Sequence, residues 1–474
     1  MAAQSQNSFS LKAMVHKDSN RVLFVESDNY FVDVLFSFLT MPMGTIVRLS
    51  DSHLPPMRVG CMNNLYASVE NIDLQLLNTE ECRAMLLHPR NAAESLLRCL
   101  KLQIDDSEPM HYLCDNQCCA FYRNSFSYYA SVPCCGCGKL MDLGVNFLVK
   151  GGRVGGVFVD GLDKFIISDD LQVMLPFTSE FSSYLSKCGV VDLNDIEELT
   201  FNVGVDEVVS LLMGSLVLKT PFTETLLKPK PEFHLVDINK ARDQKISIIS
   251  KVARGTNDTE TNVVVNLIVS KSTKRVCYAE AGADFVNLLF SFLAVPLGFI
   301  LKQMADDSSW TGCIDNLYKS VEDIDGKYLK SIDHRTMLLN PKLAHGFSYA
   351  NYPLGIEEAT IYTPIKSETP IFVDPKSPYH EDGYVDGCVD GCVDGSVDGF
   401  LKGPVMFMVT DNLIVRPLSP TFGLSILKQL NVPITDIEVQ TVNLGKVEAV
   451  CLLVAALCFD SPLTGFSRMT DQEQ

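Results

Sequence analysis

The chain repeats itself, and this repetition constrains its fold more than any other feature. Residues 21–44, RVLFVESDNYFVDVLFSFLTMPMG, match residues 275–298, RVCYAEAGADFVNLLFSFLAVPLG, at 12 of 24 positions. Residues 60–73 match residues 312–325 at 10 of 14 positions, and further matching blocks follow in the same order. Self-similarity of this kind indicates that one structural unit is encoded more than once. We therefore predict two homologous tandem domains.

The boundaries of the two predicted domains follow from the matching blocks. The first repeat covers 8–225 and the second covers 261–466, which suits a chain of 474 residues. Between them, 226–260 contains the proline-punctuated KPKPEF and the polar stretch RGTNDTETN, both rich in residues that favour turns. We expect this segment to be a linker.

Each repeat shows the pattern of strands and helices that is typical of an α+β domain. Two short β-rich runs around a polar turn, at 11–16 and 21–26, predict a hairpin. The apolar residues that follow have helical spacing; they are Phe31, Val34, Leu35, Phe38 and Leu39. A second hairpin, a helix, a strand and an apolar helix are predicted later in each repeat. The predicted fold class is α+β, with mixed or antiparallel β-hairpins packed against amphipathic helices in each of two homologous tandem domains.

The overall charge restricts the classes of partner. With 39 basic and 58 acidic residues, the formal net charge is −19. Binding to nucleic acid requires a basic surface, so a nucleic-acid partner is not expected. The N-terminus lacks the pattern of a secretory signal, and no apolar run is long enough to span a bilayer. We expect an intracellular protein, cytoplasmic or nuclear, that is neither secreted nor bound to a membrane.

Several motifs together resemble a known protein family. They are the first hairpin, the helix F-V-x-x-L-F-S-F-L-x-x-P-x-G, the block NLYxSVE, the turn CxCGKLM and the hairpin F-x-x-[ST]-D-[DN]-L-x-V. As a set they resemble the plant domain-of-unknown-function 674 family, here in tandem copies. The resemblance implies a plant origin and a shared fold, and it supplies no catalytic residues.

A cluster of cysteines is the strongest candidate for a site with its own chemistry. Six of the 16 cysteines of the chain fall between residues 114 and 137. Two cysteine pairs separated by a loop can enclose a tetrahedral zinc ion, and glycines beside the ligands allow a tight turn. The predicted ligands of this structural zinc are Cys114, Cys119, Cys135 and Cys137. Cys118 and Cys134 lie one residue away and are substitutes.

Two other interpretations of the cysteine cluster remain open. The thiols can be reduced and simply pack or stay exposed, or they can exchange in a redox reaction. The corresponding stretch of the second repeat, 361–380, contains no cysteine. A metal site would therefore serve the Cys-rich loop at 112–141 rather than the core that both repeats share.

The second repeat carries an unusual acidic array at 384–403, YVDGCVDGCVDGSVDGFLKG. Its carboxylates recur every four residues, which matches neither the EF-hand spacing nor the nine-residue calcium repeat. We expect a flexible acidic loop lengthened by repeat slippage, with calcium binding as the alternative.

Taken together, the sequence favours a non-enzymatic interaction or scaffold protein that binds a protein partner. A duplicated core with divergent loops supports this interpretation, because binding specificity usually resides in loops on a rigid scaffold. The alternative is an enzyme or a small-ligand-binding protein with its site between the two repeats, since paired domains often form pockets at their interface.

Overall fold

The computed structural model shows a mixed α+β fold with antiparallel sheets and many helices. The residues that it describes are 8–52, 57–105, 107, 110–116, 125–134, 137–146, 156–161, 164–176, 179–190, 192–228, 263–304, 312–360, 371–377 and 399–470. The predicted linker thus lies almost entirely outside the described residues. Among the described residues, no helix combines the length and the apolar character needed to cross a bilayer.

The strands of the first half are β1 (Phe9–His16), β2 (Arg21–Ser27), β3 (His111–Leu113), β4 (Ser125–Ser127), β5 (Val132–Pro133), β6 (Leu140–Met141), β7 (Leu143–Val145), β8 (Phe165–Ser168), β9 (Val173–Met174) and β10 (Ile196–Val203). The strands of the second half are β11 (Val263–Ser270), β12 (Val276–Ala281), β13 (Ile371–Phe372), β14 (Phe407–Thr410), β15 (Val415–Pro417) and β16 (Ile437–Leu444).

The α-helices of the first half are α1 (Asn29–Ser37), α2 (Met43–Ser52), α3 (Met62–Glu70), α4 (Glu81–Leu87), α5 (Glu94–Leu97), α6 (Ser179–Lys187) and α7 (Val205–Val217). The α-helices of the second half are α8 (Ala283–Ser291), α9 (Leu297–Met304), α10 (Ile314–Asp323), α11 (Ile332–Leu339), α12 (Pro420–Gln429), α13 (Lys446–Cys458) and α14 (Pro462–Thr470).

Each half contributes one five-stranded antiparallel sheet, and the two sheets have the same order. The first is β10-β1-β2-β8-β9 and the second is β16-β11-β12-β14-β15. In β1, alternate residues from Phe9 to Val15 are buried, as expected for a strand with one face on the core. The first hairpin of each sheet has a register shift at the same place, between Met14 and Val15 and between Ile268 and Val269.

Both halves pack around a single hydrophobic core. One contiguous cluster of buried apolar side chains extends from Phe9, in the first strand, to Phe466, near the end of the second half. Phe31 of α1 packs edge-to-face on Phe9 of β1, with ring centroids 5.2 Å apart. The two halves therefore share one core rather than enclosing two separate cores.

The centre of this packing is a contact between equivalent residues. Pro42 and Pro296, which occupy the same place in the two repeats, form an antiparallel bridge. Met43 N–H donates to Val295 O at 3.0 Å. At the equivalent place, Leu297 N–H donates to Met41 O at 2.9 Å. A helix begins at the residue after each of these prolines, α2 at Met43 and α9 at Leu297.

Further contacts between the halves also occur in matching pairs. Asn78 N–H donates to Phe400 O at 2.9 Å, and at the equivalent place Lys330 N–H donates to Phe158 O at 3.0 Å. Helix α3 of the first half contacts β15 of the second, while α10 of the second half contacts β9 of the first. Each half thus places a helix against the sheet of the other.

Candidate functional site

Part of the Cys-rich loop forms a small lobe beside the two large sheets. Strands β3, β4 and β7 form a sheet with β13 from the second half, and β5 pairs with β6. Strand β13 runs parallel to β4, with Phe372 opposite Phe126. We call the described residues 110–116, 125–134, 137–146 and 371–377 the cysteine lobe. Its buried side chains form a hydrophobic cluster of their own, to which both halves contribute.

A tight turn after β5 holds two cysteines close together. Cys134 N–H donates to Lys139 O at 2.8 Å, and Gly138 N–H donates to Cys134 O at 2.8 Å. Gly138 has a φ of +69°, in the left-handed region that favours glycine. Cys137 N–H donates to Cys134 O at 3.3 Å, so the two thiols of a CxxC pair are held on one turn.

Three sulfur atoms meet at this turn. The Sγ atoms of Cys114, Cys134 and Cys137 all lie within 4.8 Å of one another, and those of Cys114 and Cys137 are 3.4 Å apart. Thiolates bound to tetrahedral zinc at about 2.3 Å have their sulfurs roughly 3.8 Å apart. Asn116 N–H also donates to Cys114 Sγ at 3.4 Å, which favours the thiolate form. This donor set fits a thiophilic cation such as Zn²⁺.

The surroundings of the sulfurs are apolar. Cys114 and Cys134 are buried beside Val132, Met141 and Val373. Burial and, to a smaller extent, the neighbouring thiols raise the pKa of the Cys114 thiol to about 11, against the opposing effect of the Asn116 N–H. A bound cation reverses this balance because it stabilises thiolates. Without one, the thiolate that disulfide exchange requires is disfavoured, which argues against the redox interpretation.

The structure places some of the predicted ligands and leaves others untested. Cys114 and Cys137 are in the cluster, and their third partner is Cys134, which the sequence offered as a substitute. Outside the described residues lie Cys118, Cys119 and Cys135. A clearer signal was present in the sequence, since Cys134 and Cys137 have CxxC spacing. This spacing is less conspicuous because another cysteine, Cys135, lies between the two.

The acidic array at 384–403 is described only at its end, because residues 384–398 lie outside the described part of the chain. Phe400 and Leu401 are buried, and both of their N–H groups donate to Asn287 Oδ1, at 2.9 and 3.0 Å. The last residues of the array therefore belong to the core. The flexible loop and the calcium alternative stay predictions.

Asp33 is a buried acidic residue that no motif singled out. It accepts N–H groups from Val157, Phe158 at 2.7 Å and Val159 at 2.9 Å. Burial raises the pKa of its carboxyl to about 6, although these three donors lower it. Asn287 holds the equivalent segment in the second half, so this position anchors a loop in both halves.

A cavity of about 280 Å³ adjoins the cysteine lobe. It lies between helix α2, the segment 88–105 and three tyrosines of the lobe, and all of its lining residues belong to the first half. At the equivalent place in the second half is a cavity of about 250 Å³ lined in part by Lys302, Asn340 and Lys342. A third, open cavity of about 930 Å³ is again lined by the first half only.

Comparison with known proteins identifies the family. A family model described as a protein of unknown function, DUF674, matches residues 5–447. The chain belongs to the DUF674 family. The family resemblance inferred from the motifs is thereby confirmed. Neither the search of curated proteins nor the search of solved structures found a match for this DUF674 chain.

Proposed function

We propose that this DUF674 protein is a non-enzymatic interaction protein, built from two interlocked copies of one α+β unit, whose cysteine lobe is held by a structural zinc ion and binds a protein partner. The two copies are supported by the repeated sheet order and by the paired contacts between the halves. The proposed domains at 8–225 and 261–466 then share one core, as the two subunits of an obligate dimer do.

The zinc proposal is supported by the three sulfurs that meet at one turn. Cys114, Cys134 and Cys137 supply soft donors at a spacing close to that of a tetrahedral thiolate site. A closed structural site has four ligands, and Cys119 remains in the proposal as the fourth on these chemical grounds. Zinc bound by thiolates requires reduced cysteines, which is consistent with a cytoplasmic or nuclear location.

The interaction proposal is carried by two leucines on the surface of the lobe. Leu140 on β6 and Leu143 on β7 are 52% and 51% exposed, close in sequence to the thiol turn. Exposed large apolar side chains give the lobe an apolar surface that can contact another protein. By contrast, none of the three cavities described above is lined by both halves, so they give no support to an enzyme site between the repeats.

Metal analysis tests the zinc proposal. The chain purified under reducing conditions, without chelator, is expected to contain about one zinc per molecule. Cys114→Ser together with Cys137→Ser should lose this metal, whereas Cys99→Ser, which changes an exposed cysteine outside the cluster, should retain it. Metal-free parent protein would contradict the proposal.

Cross-linking in extracts of the native tissue, followed by capture of the tagged full chain, tests the interaction proposal. A partner recovered with the parent should be lost with Leu140→Glu plus Leu143→Glu. It should be retained with Leu424→Glu, which alters a similarly exposed leucine of the second half. A set of captured proteins that is identical for all three chains would contradict a partner site on the lobe.

A further inference from the structure

We propose that the cavity of about 280 Å³ in the first half binds a small aromatic carboxylic acid as its monoanion, with the carboxylate at Arg48 and the ring beside the tyrosines of the cysteine lobe. This inference goes beyond the proposed partner site, since it concerns a small ligand and a different set of residues. It is argued from the size, the lining and the charge of the cavity.

The size of the cavity limits the ligand to a small molecule. An apolar cavity of about 150 Å³ holds benzene. A space nearly twice as large therefore accommodates two fused rings, or one ring with a short acidic side chain. The lining includes the apolar side chains of Met41, Leu97, Leu102 and Ile104. Such walls favour a ligand with a largely apolar body.

Aromatic side chains form the wall towards the lobe. Tyr112, Tyr128 and Tyr129 all line the cavity. The hydroxyl of Tyr129 is already engaged, because it donates to His88 O at 3.0 Å. The Arg90 guanidinium lies over the Tyr128 ring, 4.0 Å from its centroid, and so fixes one of these rings. A planar ring in the ligand can pack against such a wall.

Arg48 is the group best placed to bind an anion. Its Nη2 donates to Asp105 Oδ1 at 2.8 Å, but its Nε is buried and has no hydrogen-bond partner among the described residues. Since the Arg48 side chain lines the cavity and is 28% exposed, the carboxylate of a ligand can form a charge-assisted hydrogen bond with its guanidinium. The guanidinium of Arg90 is less suited to bind a ligand, since it already donates to both carboxylate oxygens of Glu94 and to Met110 O.

The charges around the cavity favour one negative charge. Three arginines, Arg48, Arg90 and Arg98, face two carboxylates, Asp105 and Glu94, in the lining. The excess is one positive charge in a chain whose net charge is −19. A monoanion balances this excess, while a dianion such as a phosphate ester would also meet repulsion from the two carboxylates.

Two histidines, His88 and His111, lie near these arginines. Burial lowers the pKa of His88, and Arg48 lowers it further. Burial also lowers the pKa of His111 to about 4, with Arg90 and Arg98 contributing. Both rings are therefore expected to be neutral at pH 7, so that the arginines supply the charge that attracts the ligand.

The equivalent cavity of the second half shows which substitution is tolerated at the position of Thr45. The position of Thr45 is occupied there by Phe299, and that of Arg48 by Lys302, whose Nζ donates to Asn340 Oδ1 at 2.9 Å. The repeat thus shows that a phenyl group at this position is compatible with the local fold. Because the second half keeps a cavity of about 250 Å³ beside Phe299, Thr45→Phe should narrow the cavity of the first half rather than close it, and it should do so without unfolding the protein.

The test uses three naphthalene probes of nearly equal shape. 2-Naphthoate carries a negative charge, 2-naphthamide is neutral and 2-naphthylmethylamine is positive. Titration calorimetry with the full chain at pH 7 should show one binding site for 2-naphthoate. The amide should bind at least about tenfold more weakly, because it lacks the charge-assisted bond, and the amine should not bind measurably.

Variants then locate the site. Thr45→Phe, which narrows the cavity, and Arg48→Met, which removes its anion-binding group, should each weaken binding of 2-naphthoate at least about tenfold. Arg83→Met is the matched control because it removes the same charge outside the cavity, and it should bind like the parent. Circular dichroism confirms that each variant is folded. The proposal is overturned if the parent does not bind 2-naphthoate, or if Thr45→Phe and Arg48→Met both bind it as tightly as the parent does. Equal binding of the amide by the parent also overturns it.

Discussion

The two halves of the molecule share their core contacts and differ in what surrounds the core. Gly60 lies against the backbone of Leu457, and its equivalent, Gly312, lies against the backbone of Ser215 in the other half. The first half adds a cysteine lobe with a cluster of thiols, whereas the corresponding stretch of the second half has none. The contacts that join the halves therefore tolerate little change, while the loops outside the core have diverged.

A second difference lies inside the core and is smaller. Asp33 of the first half is replaced by Asn287 in the second, yet both accept backbone N–H groups from the equivalent loop. The same geometry is thus held once by a group that titrates and once by an amide that does not. The comparison separates what the fold requires, an acceptor at this position, from what it leaves open, the charge.

The largest expected effect comes from the glycines between the halves. A Cβ at Gly60 would lie 2.4 Å from Leu457 O, and one at Gly312 would lie 2.2 Å from Ser215 O. Gly60→Ala and Gly312→Ala should each reduce the free energy of unfolding by more than about 4 kcal/mol. Chemical denaturation measures both. Gly189→Ala is the control, because Gly189 has a positive φ as Gly60 does but has open space around it, and a loss of about 1 kcal/mol is expected there. If both variants lost no more free energy of unfolding than Gly189→Ala does, the claim that the halves share these core contacts would be contradicted.

The next effect is confined to one half. Removing zinc with a chelator should leave the two large sheets intact but open the cysteine lobe, because metal binding and local folding are coupled. Hydrogen exchange should show lost protection in β3 and in β5 to β7, and unchanged protection in β11 and β12. Unchanged exchange in the lobe of a protein that had contained zinc would contradict a structural role for the metal.

Asp33 gives the halves a different pH dependence. Its carboxyl has a pKa of about 6 in the folded chain, above the unfolded value of about 3.9, so the folded state binds more protons between these values. Its contribution to stability is therefore full below about pH 4 and is lost as the pH rises through 6. Relative to the parent, Asp33→Asn should gain about 2 kcal/mol in the free energy of unfolding between pH 4 and pH 7.

The matched variant for this prediction is in the second half. Asn287→Asp introduces a carboxyl at the equivalent position and should add the same loss of stability with rising pH. Urea denaturation at several pH values measures both variants. A stability difference between Asp33→Asn and the parent that does not change with pH would show that the carboxyl of Asp33 titrates normally.

The smallest predicted effect concerns side-chain hydrogen bonds between the halves. Asn64 Nδ2 donates to Asn412 O at 2.7 Å, and Asn316 Nδ2 donates to Asp170 O at 2.9 Å and to Asp170 Oδ2 at 3.0 Å. Asn64→Ala and Asn316→Ala should each cost about 1–2 kcal/mol. Asn71→Ala, which removes a bond within its own exposed helix turn, should cost only a few tenths of a kcal/mol, roughly. A loss at Asn316 that is smaller than the loss at Asn64 would weaken the comparison, since Asn316 makes the additional bond.

Much of the local structure could be predicted from the sequence, because it follows from short-range patterns. The first hairpin extends over Phe9–His16 and Arg21–Ser27, within two residues of the predicted runs, and the apolar helix predicted later in the first repeat is Val205–Val217. The interlocking of the halves could not be predicted. The repeat shows that a unit occurs twice, but it does not show whether each copy packs on itself or on the other.

The site was predicted in part for a similar reason. Cysteine spacing pointed to the correct loop and to Cys114 and Cys137, but the turn from Cys134 to Lys139 decides which sulfurs meet. The strand that the second half adds to the lobe has no signal in the spacing of cysteines. No local sequence pattern marks the cavity either, because its lining comes from segments that are far apart in the sequence.

Cutting the chain between its halves tests the central claim most directly. A specific protease site inserted within residues 229–262 allows the full-length folded protein to be cleaved at one place. If the halves share one core, the cut protein should elute from size exclusion as a single species of the parent's 52.5 kDa and unfold in a single transition. Two fragments that separate under native conditions and unfold independently would contradict the account.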